Sequence, residues 1–177
     1  MIRLATLEDA AAVAEIYQPY VESTAITFEV MPPTDGEMRS RMAGVLERLP
    51  WLVAEDAGRI VGYAYASPHR ERAAYQWSVD TAVYLHQHAH RKGIGRSLYS
   101  TLFPMLMRQG FVNAYAGITL PNEKSVGLHE AMGFLSVGIY RNVGFKAGQW
   151  LDVGWWHLPL QPLPAAPQPP VAWPMIG

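Results

Sequence analysis

The spacing of apolar residues along the chain predicts a regular succession of strands and helices. Seven short apolar runs are typical of strands, at residues 2–4, 51–55, 60–66, 75–85, 111–119, 134–141 and 150–160. Four stretches repeat apolar residues every three or four positions, as helices with one buried face do, at residues 6–20, 34–49, 94–108 and 122–132. The order β-α-α-β-β-β-α-β-α-β-β predicts an α/β protein whose mixed central sheet has about seven strands and about four flanking helices.

Local signals support the first two helices. Thr6 with Asp9, and Thr34 with Glu37, have the spacing of a capping box, in which each side chain binds a backbone N–H of the other residue. A tight turn at residues 56–59 joins two of the predicted strands as a hairpin. The sequence therefore predicts where these elements begin as well as their type.

Length and composition favour one domain. The chain has 177 residues, of which 50% are hydrophobic, and this is enough for one substantial core. We expect this domain to cover residues 1–160. Residues 161–177 are rich in proline, which disfavours helices and central strands, so we predict an extended C-terminal arm.

Charge and cysteine content exclude several kinds of protein. The net charge of −1 provides no overall field to attract nucleic acid, and the absence of cysteine excludes disulfides, thiolate metal sites and cysteine nucleophiles. No apolar run approaches the length of about 18 residues that a membrane span needs, and the N-terminal residues lack the core of a signal peptide. We expect a cytoplasmic protein that has neither nucleic acid nor a membrane as a partner.

A basic, glycine-containing turn connects a predicted strand to the third predicted helix. Gly93 and Gly95 leave room for backbone N–H groups to converge, and the helix adds its positive N-terminal end. Arg91, Lys92 and Arg96 add positive charge, so the turn is suited to a diphosphate. The other interpretation is a flexible turn with solvated basic residues. The turn matches neither the P-loop pattern nor the dinucleotide-binding pattern.

Three histidines precede these glycines. His86, His88 and His90 alternate, so an extended chain could present them on one face to a metal ion. No acidic or cysteine ligand lies nearby in the sequence, and the segment already has a role beside a diphosphate. We therefore expect no metal site.

The element order, the glycine turn and two later segments together resemble the GNAT superfamily of acetyl-CoA-dependent N-acetyltransferases. The superfamily's cofactor motif is Q/R-x-x-G-x-G/A, and its fourth-helix signature is N-x-x-S/A followed by L-Y/H-x-x-x-G-F/Y. Residues 90–95 match the glycines of the first motif, and residues 122–125 with 128–134 match the second. His90 stands where the superfamily has Gln or Arg, so one contact to the diphosphate is expected to be weaker or pH-dependent.

Within this superfamily, the chain is most similar to the phosphinothricin and methionine sulfoximine acetyltransferases. The resemblance runs from residue 2 to about 160, and it is carried by residues 50–55, 74–77, 82–84, 117–122 and 143–156. It implies a homodimer that moves an acetyl group from acetyl-CoA to the amino group of a small amino-acid-like acceptor, by direct attack through a tetrahedral intermediate. Two alternatives stay open: an acetyltransferase for another small amine, and a non-catalytic coenzyme A-binding regulatory module.

The resemblance also implies which residues bind the coenzyme. The strand at residues 83–85 is expected to pair with the pantetheine arm, the turn at 90–96 to hold the diphosphate, and Asn122 to cap its helix and touch the arm. The implied set is Val83, Tyr84, Leu85, His90, Arg91, Lys92, Gly93, Ile94, Gly95, Arg96, Asn122 and Ser125.

Two residues are candidates for proton transfer. A primary amine is mostly ammonium near pH 7, so it must lose a proton before it can attack a thioester. Asp80 stands where the family has a glutamate, and it is predicted either to accept this proton, through a bridging water if needed, or only to anchor the ammonium. His129 stands where many superfamily members have a tyrosine, and it is predicted either to protonate the leaving thiolate or to be a packed helix residue.

The acceptor is expected to be recognised by basic and aromatic groups. Arg70 and Arg72 lie just before the catalytic strand, and a guanidinium group binds a carboxylate or phosphinate through two hydrogen bonds. The alternative is that both are solvated surface charges. The full predicted substrate-binding set is Phe28, Arg70, Arg72, Tyr75, Asp80, Thr81 and Lys146, of which the last is expected to reach the acceptor of its own or a neighbouring subunit.

Overall fold

The computed structural model describes residues 1–176. Its strands are β1 (Ile2–Leu4), β2 (Trp51–Asp56), β3 (Arg59–Pro68), β4 (Ser78–Leu85), β5 (Asn113–Leu120), β6 (Leu135–Lys146) and β7 (Gln149–Pro159). Its α-helices are α1 (Ala10–Ser23), α2 (Asp35–Leu46), α3 (Ile94–Gln109) and α4 (Glu123–Ala131). Single-turn 3₁₀ helices lie at Leu7–Asp9, Ala73–Tyr75, Gln87–Ala89 and Trp173–Met175. The predicted order of strands and α-helices is confirmed.

The strands form one sheet in the order β1-β2-β3-β4-β5-β7-β6. All neighbouring strands are antiparallel except β4 and β5, which are parallel and are connected by α3. A parallel pair needs such a crossover connection, since a tight turn can join only antiparallel strands. The sheet is therefore mixed, as the sequence predicts.

The capping signals of the first two helices have formed as the sequence predicts. The Thr34 hydroxyl accepts a hydrogen bond from the Glu37 N–H at 3.2 Å, and the Thr34 N–H donates to the Glu37 carboxylate at 2.7 Å. Thr6 and Asp9 form the same box at the start of the first 3₁₀ helix, which leads directly into α1.

Two strand boundaries differ from the predicted ones by three residues or more. The strand expected to begin at Tyr75 begins at Ser78, because residues 69–77 are needed to connect the antiparallel strands β3 and β4. The strand expected to end at residue 141 continues to Lys146, because β6 and β7 stay paired up to a turn at Ala147 and Gly148. This extension keeps Lys146 inside a strand.

The helices cover the sheet unequally. On one face, which we call the α3 face, α3 packs on apolar side chains of β2 to β5 and β7. On the other, the α1 face, α1 and α2 pack on Trp51, Val53 and Tyr63, with Tyr84 at the border of this cluster. Successive side chains of a strand point to opposite faces. Asp80 and Tyr84 therefore share the α1 face, whereas Thr81 and Val83 share the α3 face.

The proline-rich segment after β7 is extended, but it packs along the domain. Trp173 is buried and its N–H donates to the Arg48 carbonyl at 2.9 Å. The Gln109 side chain donates to the carbonyls of Arg48 and Val171, and the Trp77 indole donates to the Gln168 carbonyl at 2.8 Å. These contacts join the segment to the ends of α2 and α3 and to the residue before β4. Within residues 1–176, no helix has the length and apolar character needed to cross a bilayer.

Candidate active site

The sheet opens between β4 and β5. The two strands pair at three positions, and the last of these joins Asp80 to Tyr115. Beyond it, β4 continues to Leu85 beside β3, and β5 continues to Leu120 beside β7. The facing edges of the two strands therefore have backbone groups without a strand partner.

The register of β4 shows which of its backbone groups face the opening. The His86 N–H donates to the Val61 carbonyl at 2.9 Å, so the backbone groups of this residue point toward β3. Because the direction alternates along a strand, Tyr84 also directs its N–H toward β3, whereas Val83 and Leu85 direct theirs into the opening. Of the three strand residues predicted to pair with an arm of the coenzyme, two thus present free backbone N–H groups.

A cavity of about 60 Å³ occupies this opening. It brings together six of the predicted site residues, from β4 and α4: Thr81, Val83, Tyr84, Asn122, Ser125 and His129.

The basic glycine turn lies at the N-terminal end of α3. Gly93 has a φ of +74° and Arg91 a φ of +61°, so two residues of the turn adopt left-handed backbone conformations. No side chain caps this helix, and the N–H groups of residues 94–96 face outward from its first turn. Gly95 is buried, and an added Cβ would lie 3.1 Å from the Leu128 side chain. Three exposed basic side chains surround the turn: Arg91, Lys92 and Arg96.

The His90 side chain forms a hydrogen bond with another side chain of the protein. The Tyr20 hydroxyl donates to the Leu85 carbonyl at 2.6 Å and lies 3.1 Å from His90 Nε2. Because the hydroxyl proton is used on the carbonyl, His90 Nε2 is the donor in the second bond. The predicted diphosphate contact of His90 would have to come from its other ring nitrogen or its backbone.

Residues at the start of α4 and within it form a hydrogen-bonded group with Tyr99 of α3, on the α3 face of the sheet. The Asn122 side chain accepts from the Ser125 N–H at 3.2 Å and so caps α4, as predicted. His129 Nδ1 lies 2.7 Å from the Ser125 carbonyl, and Nε2 lies 3.0 Å from the Tyr99 hydroxyl. A carbonyl can only accept, so Nδ1 carries the proton and Nε2 accepts from Tyr99. Burial lowers the pKa of His129 and favours this neutral form.

Asp80 forms a close pair with a residue that sequence reasoning missed. Its Oδ1 lies 2.5 Å from His69 Nδ1, and both side chains are mostly buried. Burial raises the pKa of the Asp80 carboxyl, although the hydrogen bond and charge of His69 oppose this shift. His69 follows β3, and the pairing of β3 with β4 brings it to Asp80 across 11 residues of sequence.

Aromatic rings surround His69 on the α1 face. Its ring stacks on Tyr115 at 4.5 Å between centroids, and the ring centroids of Tyr75 and Trp155 are each 5.9 Å away in edge-to-face arrangements. Arg70 donates to the His69 carbonyl at 2.8 Å, and its guanidinium lies over the Trp155 ring at 5.5 Å. Two of the predicted acceptor residues, Arg70 and Tyr75, therefore adjoin the Asp80–His69 pair.

Three predicted acceptor residues have other surroundings. Arg72 is exposed in the connection between β3 and β4. The Phe28 ring packs on Gly144, where an added Cβ would overlap it. Lys146 is buried, and its ammonium donates to the carbonyls of Val21 and Thr27 at 2.7 and 2.8 Å. Its hydrogen bonds therefore join β6 to the end of α1 and the loop that follows.

The three histidines that precede the glycine turn do not converge on a common point. The rings of His86 and His88 are 5.1 Å apart, whereas His90 bonds to Tyr20. Among residues 1–176, no group of three or more His, Cys, Asp or Glu side chains is arranged to hold a metal ion.

Two residues with direct contacts to the predicted catalytic groups were missed from the sequence. Tyr99 has the spacing of a core residue of α3, and His69 stands in a connection with no periodic pattern. Both contacts form only in the tertiary structure, because α3 brings Tyr99 to His129 and strand pairing brings His69 to Asp80.

Comparison with known proteins finds similarity over most of the chain. The family model of the acetyltransferase (GNAT) domain matches residues 2–155. The chain is 42% identical over 168 residues to a phosphinothricin N-acetyltransferase of Streptomyces viridochromogenes, covering 95% of this chain and 91% of the relative. It is 35% identical over 160 residues to an L-methionine sulfoximine/L-methionine sulfone acetyltransferase of Salmonella typhimurium, covering 90% and 94%.

Solved structures agree with this similarity. The fold matches a GNAT superfamily phosphinothricin acetyltransferase of Sinorhizobium meliloti in complex with acetyl-CoA, with a TM-score of 0.90 and 34% identity over 98% of this chain and 97% of the other. An acetyltransferase of Salmonella typhimurium, solved with its cofactor acetyl-CoA, also has a TM-score of 0.90, with 33% identity over 95% and 97%.

Proposed function

The chain belongs to the GNAT acetyltransferase family, and we propose that it transfers the acetyl group of acetyl-CoA to the amino group of a small amino-acid-like acceptor of the phosphinothricin or methionine sulfoximine class. The observation that carries this proposal is the opening between β4 and β5, where a free strand edge leads to the basic turn of α3. A thioester bound there would have side chains of the α3 face on one side and side chains of the α1 face on the other.

The pantetheine arm of the coenzyme would lie along β4 as an added strand. The free N–H groups of Val83 and Leu85 would pair with its amides, and one of them would polarise the thioester carbonyl. Asn122 and Ser125 would line the other side of the arm. The diphosphate would accept hydrogen bonds from the N–H groups of residues 94–96, and the positive end of α3 and the basic side chains would add attraction.

The acceptor would approach from the α1 face. Asp80 lies at the closed end of the opening, and its carboxylate attracts an ammonium group. The Arg70 guanidinium is exposed beside it and can bind an anionic group at the other end of the acceptor. Tyr75 would form part of the pocket wall. This arrangement suits a zwitterion that carries a second anionic or polar end.

The departing thiolate would take its proton on the α3 face. Tyr99 and His129 both line the cavity, and the hydroxyl of Tyr99 carries the proton that lies between them. A thiol has an intrinsic pKa near 8.5, so its thiolate is a moderate leaving group and needs only limited help. Attack and departure would thus be served by groups on opposite faces of the sheet.

A homodimer is also part of this proposal. Strands β6 and β7 form the end of the sheet, and several of their large apolar side chains are exposed. They are Leu135, Val137, Ile139, Tyr140, Val143, Phe145 and Trp150. Such a concentration of exposed apolar side chains on two adjoining strands is typical of an interface between protein chains.

A screen of acceptors tests the activity. Purified protein with acetyl-CoA would be offered amino acids, sulfones, sulfoximines, phosphinothricin and polyamines, and thiol release and acetylated product would be measured. We expect the fastest reaction with amino-acid analogues that carry an anionic or polar end. Replacing Arg70 or Arg72 by Met should raise the acceptor KM in at least one variant while leaving the coenzyme KM unchanged. Coenzyme binding without acetylation of any amine would instead favour a regulatory module.

A further inference from the structure

The Asp80–His69 pair offers a base that the family comparison does not assign. An acceptor amine must lose a proton from its ammonium form before it attacks the thioester. Deepening the proposed function, on which this inference rests, we propose that His69 Nε2 accepts that proton and that Asp80 is the positioning residue that holds the imidazole ready.

The hydrogen bond to Asp80 fixes the tautomer of His69. At 2.5 Å, the contact between Asp80 Oδ1 and His69 Nδ1 needs one proton between the two atoms. An ionised carboxylate can only accept, so Nδ1 carries the proton and the other ring nitrogen of a neutral imidazole has a free electron pair. A carboxylate in this position also stabilises the imidazolium that forms when Nε2 is protonated.

The second ring nitrogen is open to a ligand. Among residues 1–176, His69 Nε2 has no hydrogen-bond partner, and it is not one of the buried polar atoms that lack one. It is therefore accessible, although only 13% of the side chain is exposed. Such a nitrogen can take a proton from a bound molecule and later release it to water.

The position of His69 matches that of a base for the acceptor. Its ring stacks on Tyr115, which is the partner of Asp80 at the last paired position before the sheet opens. The edge of its ring also adjoins Trp155, whose own ring lies against Gly117 in the cavity wall. His69 therefore lies on the α1 face at the closed end of the opening, where the attacking amine must come.

Asp80 is less well suited to act alone. It is one methylene shorter than the glutamate that the family resemblance leads one to expect, and one of its oxygens is already used by His69. A base works best when its pKa is close to the working pH, and an imidazole meets this condition better than a carboxylate does. The imidazole also compensates for the shorter side chain of Asp80, because it places a basic nitrogen beyond the carboxylate.

The charged and titratable groups around His69 are few. Asp80 faces it from β4, and Arg70 is attached to the same segment. Tyr75 adjoins it from the connection between β3 and β4, and Tyr115 adjoins it from β5. Asp80 is in direct contact with the imidazole ring through its hydrogen bond.

The acceptor nitrogen gives up two protons during the reaction. One N–H bond of the acceptor ammonium breaks, its electron pair stays on nitrogen, and the proton binds His69 Nε2. The amine then attacks the thioester carbonyl, and the C–S bond breaks as the amide forms. The second proton leaves the nitrogen for solvent, while the departing thiolate takes the hydroxyl proton of Tyr99, which is reprotonated from solvent. His69 returns its proton to solvent before the next turnover.

Replacing His69 by Asn tests this assignment, because the Asn amide can still donate to Asp80 but offers no basic nitrogen. We expect kcat to fall about 10²-fold with little change in the acceptor KM or in coenzyme affinity measured by calorimetry. The pH–rate profile should also differ from that of the wild type, because without a base the reaction of His69→Asn depends on the fraction of acceptor that is already free amine. Imidazole added to His69→Gly should restore part of the rate.

A second histidine provides the matched control. His157 stacks on Tyr115 at 4.8 Å and bonds to Asn113, but within residues 1–176 it has no carboxylate partner. His157→Asn should keep the wild-type rate and pH profile. If wild type is active and His69→Asn keeps more than half of its kcat with the same pH profile, the inference is overturned and Asp80 acts alone. If wild type acetylates none of the acceptors, the proposed function fails and the inference fails with it.

Discussion

The buried position of Gly95 allows the coenzyme site to be tested quantitatively. An added Cβ would lie 3.1 Å from Leu128 Cδ2, 3.7 Å from Leu85 Cδ1 and 3.8 Å from Val83 Cγ2. The first distance is already too short, and the two methyl groups of a valine would need still more room. Inserting such groups into a packed region typically costs about 1–3 kcal/mol. We therefore expect Gly95→Val to reduce the free energy of unfolding by about this amount.

The same substitution should weaken coenzyme binding. Its three neighbours lie on β4 and α4, which border the opening, so the valine methyl groups would have to displace the Leu128 side chain or move α3 away from these elements. The helix N–H groups and the strand edge would then no longer match one coenzyme molecule. Since about 1.4 kcal/mol corresponds to a factor of ten in affinity, restoring the original spacing at a cost of about 1–3 kcal/mol predicts a Kd for acetyl-CoA weaker by about five-fold to 150-fold.

Calorimetry with acetyl-CoA and unfolding in urea would measure the two effects. Gly127→Val is the matched control, because Gly127 is exposed on α4 and an added Cβ would meet no atom within 4 Å. We expect the control to keep wild-type stability and affinity. An unchanged Kd in Gly95→Val would refute the placement of the coenzyme between α3, α4 and β4.

Three further predictions concern the C-terminal arm and the hydrogen-bonded pair of Tyr99 and His129. Trp173→Ala should lower the free energy of unfolding by about 3 kcal/mol, whereas Met175→Ala, which alters an exposed side chain in the same turn, should leave it unchanged in urea titrations. Tyr99→Phe should lower kcat by about ten-fold or more with little change in acceptor KM, and an unchanged kcat would exclude Tyr99 as the proton donor. Burial lowers the pKa of His129, so below about pH 6.5 the unfolded chain binds a proton that the folded chain does not. Stability should therefore fall as the pH falls through this range, and His129→Gln should reduce that dependence, leaving the smaller contribution of His157, whose pKa burial also lowers.

The sequence by itself determined the order of elements and the basic, glycine-containing character of the turn before α3. Apolar periodicity, capping boxes and glycines act locally, so they can be recognised without knowing which elements meet. Thr34 with Glu37 and the cap at Asn122 show this, since both form hydrogen bonds within three residues. The family resemblance added the expected activity, because motifs such as residues 90–95 carry it in a short stretch of chain.

Only the tertiary structure decided how the candidate catalytic groups are paired. Asp80 was recognisable as a candidate, but its partner His69 depends on the register between β3 and β4, which no local pattern specifies. Tyr99 looked like an ordinary core residue until α3 packed it against His129. Likewise, the free edge of β4 exists because β5 leaves it after three paired positions, and separation of two strands is a property of the whole sheet.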